Sequence, residues 1–114
     1  MPYFQLGPAN DQPYSIAVVS AATTTIAAVA ALTAQTTRVY KVFLVVSTAT
    51  TLAFADGTTP LTGGLSLLAN GSVTLGADGT PWFQTSANSA FNITNSAGAQ
   101  VSGAIYYTRN PWFP

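Results

Sequence analysis

Residues 38–54 read RVYKVFLVVSTATTLAF and form the longest apolar and β-branched run in the chain. One alternating side of this run carries Tyr40, Val42, Leu44 and Val46, and the other carries Val39, Lys41, Phe43 and Val45. Both sides are mostly apolar, which is typical of a central strand with neighbours around it. The run is too short to cross a bilayer as a helix. It therefore predicts the core strand of a small all-β domain.

Short strands separated by turns are predicted on both sides of this run. They cover residues 14–20, 23–30, 82–85, 90–95 and 100–109. The Ala-rich residues 26–34 also suit a short helix, but the three threonines before them favour a strand. Short strands at regular spacing indicate a sandwich or barrel. We therefore expect an all-β fold, either a small antiparallel β-sandwich (jelly-roll or immunoglobulin-like) or a barrel.

Two Gly-containing turns define the predicted register after the central run. Asp56-Gly57 predicts a tight hairpin whose two-residue loop sets Leu52 opposite Leu61. Around Asn70-Gly71, a three-residue loop over 69–71 keeps the apolar faces together, because it pairs Leu67 with Val73 and Leu65 with Leu75. That loop predicts a left-handed conformation at Gly71.

The 114 residues suit one domain of 14–109 with an extension at each end. Residues 1–13 contain three prolines, which predicts an extended N-terminal arm, and residues 110–114 form a short aromatic C-terminal tail bounded by prolines. The start has neither a basic region nor an apolar core, so no signal peptide is expected there. The candidate protein-interface residues are the apolar side chains of these extensions: Tyr3, Phe4, Leu6, Trp112 and Phe113.

Charged residues make up only 5% of the chain, three of each sign. Soluble surfaces usually carry about 25–35%, so we expect partners to cover part of this one. No Lys/Arg cluster is present to bind nucleic acid, so we do not expect nucleic acid to be a partner. Residues 16–34 are the one candidate membrane segment, but they are rich in Ala and Thr, and no membrane partner is expected.

Histidine and cysteine are both absent, which excludes Ser-His-Asp and Cys-His nucleophiles and removes the ligands of most zinc sites. Asp56 and Asp78 are each followed by Gly, so turn roles are favoured over a calcium site or a glycosidase acid–base pair. No phosphate-binding glycine motif is present. We expect neither a cofactor nor an enzymatic activity.

Aromatic residues come as adjacent pairs at Trp82-Phe83, Tyr106-Tyr107 and Trp112-Phe113. Within a strand, one ring of each pair faces inward and the other outward. The outward rings are either scattered surface residues or anchors for a protein or sugar surface.

Two stretches carry a family resemblance: VVSTATTLAFADGTTPLTGGLSLLANGSVTL at 45–75 and PWFQTSANSAFNITNSAGAQVSGAIYY at 81–107. From about Val39 to Arg109 the chain resembles small β-rich virion proteins of tailed phages, of the head decoration or cement type. The landmarks are Gly-Thr-Thr, Leu-Thr-Gly, Ala-Asn-Gly, Trp-Phe and Val-Ser-Gly. In the loop after Trp82-Phe83 we expect a Gly, and this chain has Asn88, which also adopts the left-handed conformation.

The resemblance implies a structural protein on the outer surface of the capsid. Its expected partners are the major capsid protein and further copies of the chain, with a trimer expected. Binding across neighbouring capsid subunits would stabilise the shell. The alternatives are a glycan-binding module of a virion fibre that uses Trp82 or Trp112, and a structural subunit of the tail or neck.

Overall fold

The computed structural model describes residues 14–76 and 80–110, and in these ranges the chain forms ten strands and no helix. The strands are β1 (Ser15–Ala21), β2 (Thr25–Val29), β3 (Thr36–Val46), β4 (Thr50–Asp56), β5 (Thr59–Pro60), β6 (Leu65–Leu67), β7 (Ser72–Leu75), β8 (Phe83–Gln84), β9 (Phe91–Asn95) and β10 (Val101–Asn110). The predicted all-β class is confirmed. The predicted arm, residues 1–13, lies outside the described residues. Asn110, which the sequence assigned to the tail, belongs to the last strand.

The strands form two antiparallel sheets. The first sheet has the order β1-β10-β3-β7, with β8 also paired to β3, and the second has the order β2-β9-β4-β5, with β6 also paired to β4. If β5 and β6 are counted as one interrupted strand, and β7 and β8 as another, the first strand pairs with the last and the second with the last but one. This double winding is the strand order of a jelly roll, one of the predicted sandwich types.

The run at 38–54 contains two strands, not the single core strand that the sequence predicted. It breaks at residues 47–49, which are exposed, and the chain crosses there from β3 in the first sheet to β4 in the second. The amide of Ser47 donates to the carbonyl of Gln100 at 3.0 Å, which ties this corner to the start of β10. The predicted central position is confirmed for both parts, since β3 lies between β10 and β7 and β4 lies between β9 and β5.

The core lies between the two sheets. Its largest fully buried apolar residues are Phe54, Phe91, Leu44, Leu52, Ile93, Ile105, Val39, Val42, Val46 and Val101. Phe54, Phe83 and Phe91 form a ring cluster with centroids 5.0 to 5.7 Å apart. A buried side chain of this kind contributes roughly 1.5–3 kcal/mol through the removal of apolar surface from water.

A β-bulge explains why both sides of β3 supply core residues. Tyr106 pairs with Lys41 and Tyr107 with Val39, so Tyr40 is an extra residue in β3. The extra residue shifts the alternation by one position. Val39 and Val42 therefore both face the core although they lie on opposite sides of the alternating pattern.

The first predicted hairpin has a different register. Its two-residue loop is Gly57-Thr58, and Leu52 pairs with Leu65 instead of Leu61. Gly57 has φ 60 and takes the first loop position, where a type II′ turn needs a positive φ. Pro60 ends the short strand β5, and Leu61 follows outside the sheet.

The predicted hairpin around residues 69–71 is wrong, because β6 pairs with β4 in the second sheet and β7 pairs with β3 in the first. The loop instead crosses between the sheets, so each strand buries its apolar side against a different neighbour. Asn70, with φ 64, takes the left-handed conformation predicted for Gly71. Its amide donates to the carbonyl of Val46 at 2.9 Å. The left-handed conformation expected at Asn88 is present, with φ 67.

One buried amide links the loops at one end of the sandwich. Asn95 is fully buried, and its Oδ1 accepts a hydrogen bond from the hydroxyl of Thr50 at 2.7 Å. Its Nδ2 donates to the carbonyls of Ala99 at 2.7 Å and Thr23 at 3.2 Å. Because each of these groups would otherwise be desolvated without a partner, Asn95 holds β4, β9 and two loops in one arrangement.

Candidate functional site

The outward side of the first sheet is apolar across three adjacent strands. Directly paired residues of antiparallel strands share one side, and the registers align Val18 with Ala104, Ala104 with Phe43, and Ile16 with Tyr106. We call these residues of β1, β10 and β3 the outer face: Ile16, Val18, Phe43, Ala104 and Tyr106. It is the feature of the described surface that most clearly needs a function.

The large side chains of the outer face are open to solvent. Val18 is 80% exposed, Ile16 56% and Phe43 54%. Single exposed apolar residues are ordinary, but a contiguous group marks an interaction surface. In a simple sandwich strand the larger apolar residues face the core. On β1 the arrangement is the opposite at one position, because Ile16 points outward while the smaller Ala17 packs towards the core.

A shallow pit of about 300 Å³ lies on the outer face beside the far edge of the first sheet. Its walls include Phe43, Tyr106, Thr74 and Lys41. The Nζ of Lys41 lies 5.8 Å from the centroid of the Tyr106 ring, which is within the range of a cation–π contact. This places one cation at the border of an otherwise uncharged surface.

Both ends of the described chain leave the sandwich from one end of the first sheet. Ser15 at the start of β1 pairs with Tyr107, and β10 continues from there to Asn110. Tyr14 precedes β1 and packs its ring 5.0 Å from that of Tyr40. The described chain therefore starts and ends at the same end of the first sheet. The candidate contacts in them (Tyr3, Phe4, Leu6, Trp112 and Phe113) lie outside the described residues.

A second concavity of about 390 Å³ lies over the second sheet, and its lining combines threonine and asparagine side chains with apolar ones, among them Phe54 and Pro60. We call it the threonine groove; its lining includes Thr25, Ala53, Ala55, Thr58, Thr62, Asn92 and Thr94. Two of its polar groups are engaged within the fold: Asn92 Nδ2 donates to the Gly57 carbonyl at 2.9 Å, and Thr62 Oγ1 accepts from the Phe54 amide at 3.1 Å. The lining of the groove contains no charged group.

Within the described residues, the exposed tryptophan of the glycan-binding alternative does not line the threonine groove. Glycan binding would require an aromatic ring that stacks on the sugar, beside free hydroxyl and amide groups. Trp82 is exposed, but it is not part of the threonine groove, and Trp112 lies outside the described residues. The predicted in–out arrangement of aromatic pairs is confirmed where it is described, since Phe83 and Tyr107 pack on the core while Trp82 and Tyr106 face outward.

Asp56 has a local structural role. Its Oδ2 accepts hydrogen bonds from the amide of Ser86 at 2.9 Å and from the hydroxyl of Ser86 at 2.8 Å, which fastens the loop before β9 to the end of β4. Asp78 lies outside the described residues. Among residues 14–76 and 80–110, no three potential metal-ligating side chains come together.

Sequence reasoning missed the outer face, although its signal was present. The apolar character on both sides of β3 was interpreted as burial by neighbouring strands, but neighbours within a sheet leave its outward side open. The even-numbered residues of β1, Ile16 and Val18, carried the same signal. Only the pairing of β1, β10 and β3 brings these residues to one surface.

Residues 16–34, the membrane candidate of the sequence, form β1, β2 and their connections. Among the residues that the structure describes, no helix has the length and apolar character needed to span a membrane. Comparisons with protein-family models, with curated proteins and with solved structures found no match to this chain.

Proposed function

We propose that this chain is a structural adhesion protein, specifically a head decoration or cement protein of a tailed phage, and not an enzyme. It would bind across neighbouring subunits of the major capsid protein on the outer surface of the shell. The observation that carries the proposal is the outer face, an exposed apolar surface on a chain with only 5% charged residues. Such a surface suits permanent contact with a protein partner.

The fold supports this proposal by analogy. Jelly rolls occur in viral capsid domains, and also in lectins and cupins. A fold alone does not decide among these functions. A lectin function is less well supported, because Trp82 is not part of the threonine groove. A cupin function is also less well supported, because the sequence has no histidine for a metal site.

The proposed mechanism is thermodynamic. A protein that binds the assembled shell and not its separated subunits shifts the equilibrium towards the shell by mass action. Phe43 and Tyr106 are suited to act as anchors, since aromatic residues dominate the binding energy of interfaces. Tyr3, Phe4, Leu6, Trp112 and Phe113 would add contacts to the same partner, because the described chain starts and ends at one end of the sheet that carries the outer face. Several weak contacts of this kind combine through multivalency.

The test uses heads of the encoding phage that lack the protein. Purified wild-type chain should co-sediment with them and raise the temperature at which they release DNA. The double variant Phe43→Ser/Tyr106→Ser should lose binding, while Leu68→Ser, which removes an equally exposed apolar side chain outside the outer face, should not. Deletion of residues 1–13 should weaken binding and leave the sandwich folded.

If the wild-type protein did not co-sediment with the heads, the proposed cement function would be wrong. Equal binding by the double variant would remove the outer face from the contact. Labelled protein found on tails or necks, and not on heads, would favour the tail or neck alternative.

A further inference from the structure

We infer that the free edge of strand β1 is a docking site for β1 of a second copy, so that the first sheet continues across a two-fold axis and the chain forms a dimer. The inference goes beyond capsid binding and does not depend on it, because it concerns copies of this chain alone in solution.

β1 is an unprotected edge of the described sandwich. It pairs with β10 in an unbroken register over seven residues, from Ser15 with Tyr107 to Ala21 with Val101, and no strand of the described residues lies on its other side. Natural edge strands are usually blocked by a charge, a proline, a bulge or short length. β1 has none of these, and the nearest charged residues in the sequence are Asp11 and Arg38.

The other edges of the described sandwich are blocked. β2 has a register irregularity between Ala27 and Val29. β5 has two residues and includes Pro60, β6 has three residues, β7 has four and β8 has two. The contrast singles out β1, because it is the longest edge and presents regularly spaced backbone groups for a further strand.

The outward side chains of β1 are complementary to themselves. An antiparallel pair whose two-fold axis passes at Ala17 sets Ile16 opposite Val18 of the second copy, and Val18 opposite Ile16 of the second copy. Apolar β-branched residues in such cross-strand positions stabilise a sheet. A two-fold contact doubles every charge that it contains, and here it contains none. Two copies close the contact, so we infer a dimer instead of the trimer expected from the sequence.

A second copy fits this edge better than the preceding part of the same chain. Residues 1–13 include Pro2, Pro8 and Pro13, and proline cannot donate to a strand ladder. β1 of another copy has seven residues without proline or charge. It also brings the apolar side chains that cover Ile16 and Val18.

The first experiment measures molar mass by light scattering during size-exclusion chromatography, over a range of concentrations of the full chain. Wild type should approach twice the 11.7 kDa mass of the chain. Val18→Lys should remain a monomer, because a lysine on an edge strand opposes pairing. Leu68→Lys is the matched control, since Leu68 is also 80% exposed but lies outside β1, and it should dimerise as wild type does. Circular dichroism of both variants verifies the fold.

The second experiment measures residue-resolved amide hydrogen exchange at low and high concentration. Dimerisation through β1 should slow exchange at alternate amides of Ser15–Ala21, and Val18→Lys should abolish that concentration dependence. A monomeric wild type, a trimer, or a dimer with unchanged exchange in β1 would each overturn the inference. Loss of the dimer on deleting residues 1–13, with β1 exchange unaffected by concentration, would assign the contact to the arm.

Discussion

Residues 42–46 of strand β3 are apolar on both sides of the sheet, but the two sides have opposite environments. Val42 and Leu44 point inward and are at most 1% exposed, whereas Phe43 between them points outward and is 54% exposed. Both sides are apolar, so hydrophobicity alone does not distinguish them. Their difference comes from the second sheet, which covers one side of β3 and leaves the other open.

This contrast separates two uses of apolar surface. On the inner side, burial stabilises the folded monomer. On the outer side, burial of a residue such as Phe43, worth roughly 1.5–3 kcal/mol, is not realised within the described fold and remains available for association. The same strand therefore contributes to folding through one side and, as we propose, to binding through the other.

The largest expected effect is on the free energy of unfolding, and it distinguishes two phenylalanines. Phe54→Ala should destabilise the chain by about 3–5 kcal/mol, because it removes a buried ring and leaves a cavity. Phe43→Ala should change stability by no more than about 0.5 kcal/mol in the monomer. Urea denaturation at low protein concentration measures both values. A similar loss of stability in the two variants would show that the outer side of β3 is buried in the monomer.

The next prediction concerns Asn95, a fully buried polar residue. Asn95→Ala should cost about 2–3 kcal/mol, since it leaves several buried partners of the amide without a hydrogen bond. Thr94→Ala, at the exposed neighbouring position, is the control and should cost less than about 0.5 kcal/mol. Thermal unfolding followed by circular dichroism compares them. If Asn95→Leu proved as stable as wild type, the hydrogen bonds of Asn95 would not be needed for stability, since apolar packing could take their place.

Sequence reasoning reached the fold class and the strand content, because alternation and turn residues are local signals. It also predicted the left-handed backbone at Asn88 and the presence of one inward and one outward ring in the pair Trp82-Phe83. It failed where the chain changes sheets. The exposed corner at residues 47–49 and the loop around Asn70 are both crossings between sheets, and a pattern of apolar residues does not state which neighbour a strand will choose.

The candidate site was less predictable than the fold for the same reason. Ile16 and Phe43 are 27 positions apart in the sequence, and only β10, near the end of the chain, lies between their strands. The contacts proposed from sequence, such as Tyr3 and Trp112, were chosen for their chemistry and stay predictions. Each segment shows only its own apolar residues, and that these residues form one surface depends on non-local strand pairing.

A smaller effect on stability is expected from substitutions that test whether the outer face is accessible in solution. Phe43→Thr/Tyr106→Thr should reduce the fluorescence of a dye that binds apolar surfaces while changing stability by only about 0.5–1 kcal/mol, since threonine retains a high β-propensity. Trp82→Thr is a matched control, because it removes an exposed aromatic residue outside the outer face. Equal dye binding by wild type and the double variant would mean that the outer face is not accessible in solution.

The smallest expected effect on stability concerns Lys41, the cation beside the outer face. Lys41→Gln removes the cation–π contact with Tyr106 and should cost about 0.5 kcal/mol or less at this partly exposed site. Association should nevertheless become stronger, because a charge next to an apolar surface opposes non-specific contact. Arg38→Gln is the control on the same strand, where Nε donates to Gln84 Oε1 at 3.1 Å, and it should leave association unchanged. Sedimentation velocity compares the variants. Weaker association of Lys41→Gln would instead make Lys41 a direct contact of the partner, and the interface would then extend from Phe43 into the neighbouring pit.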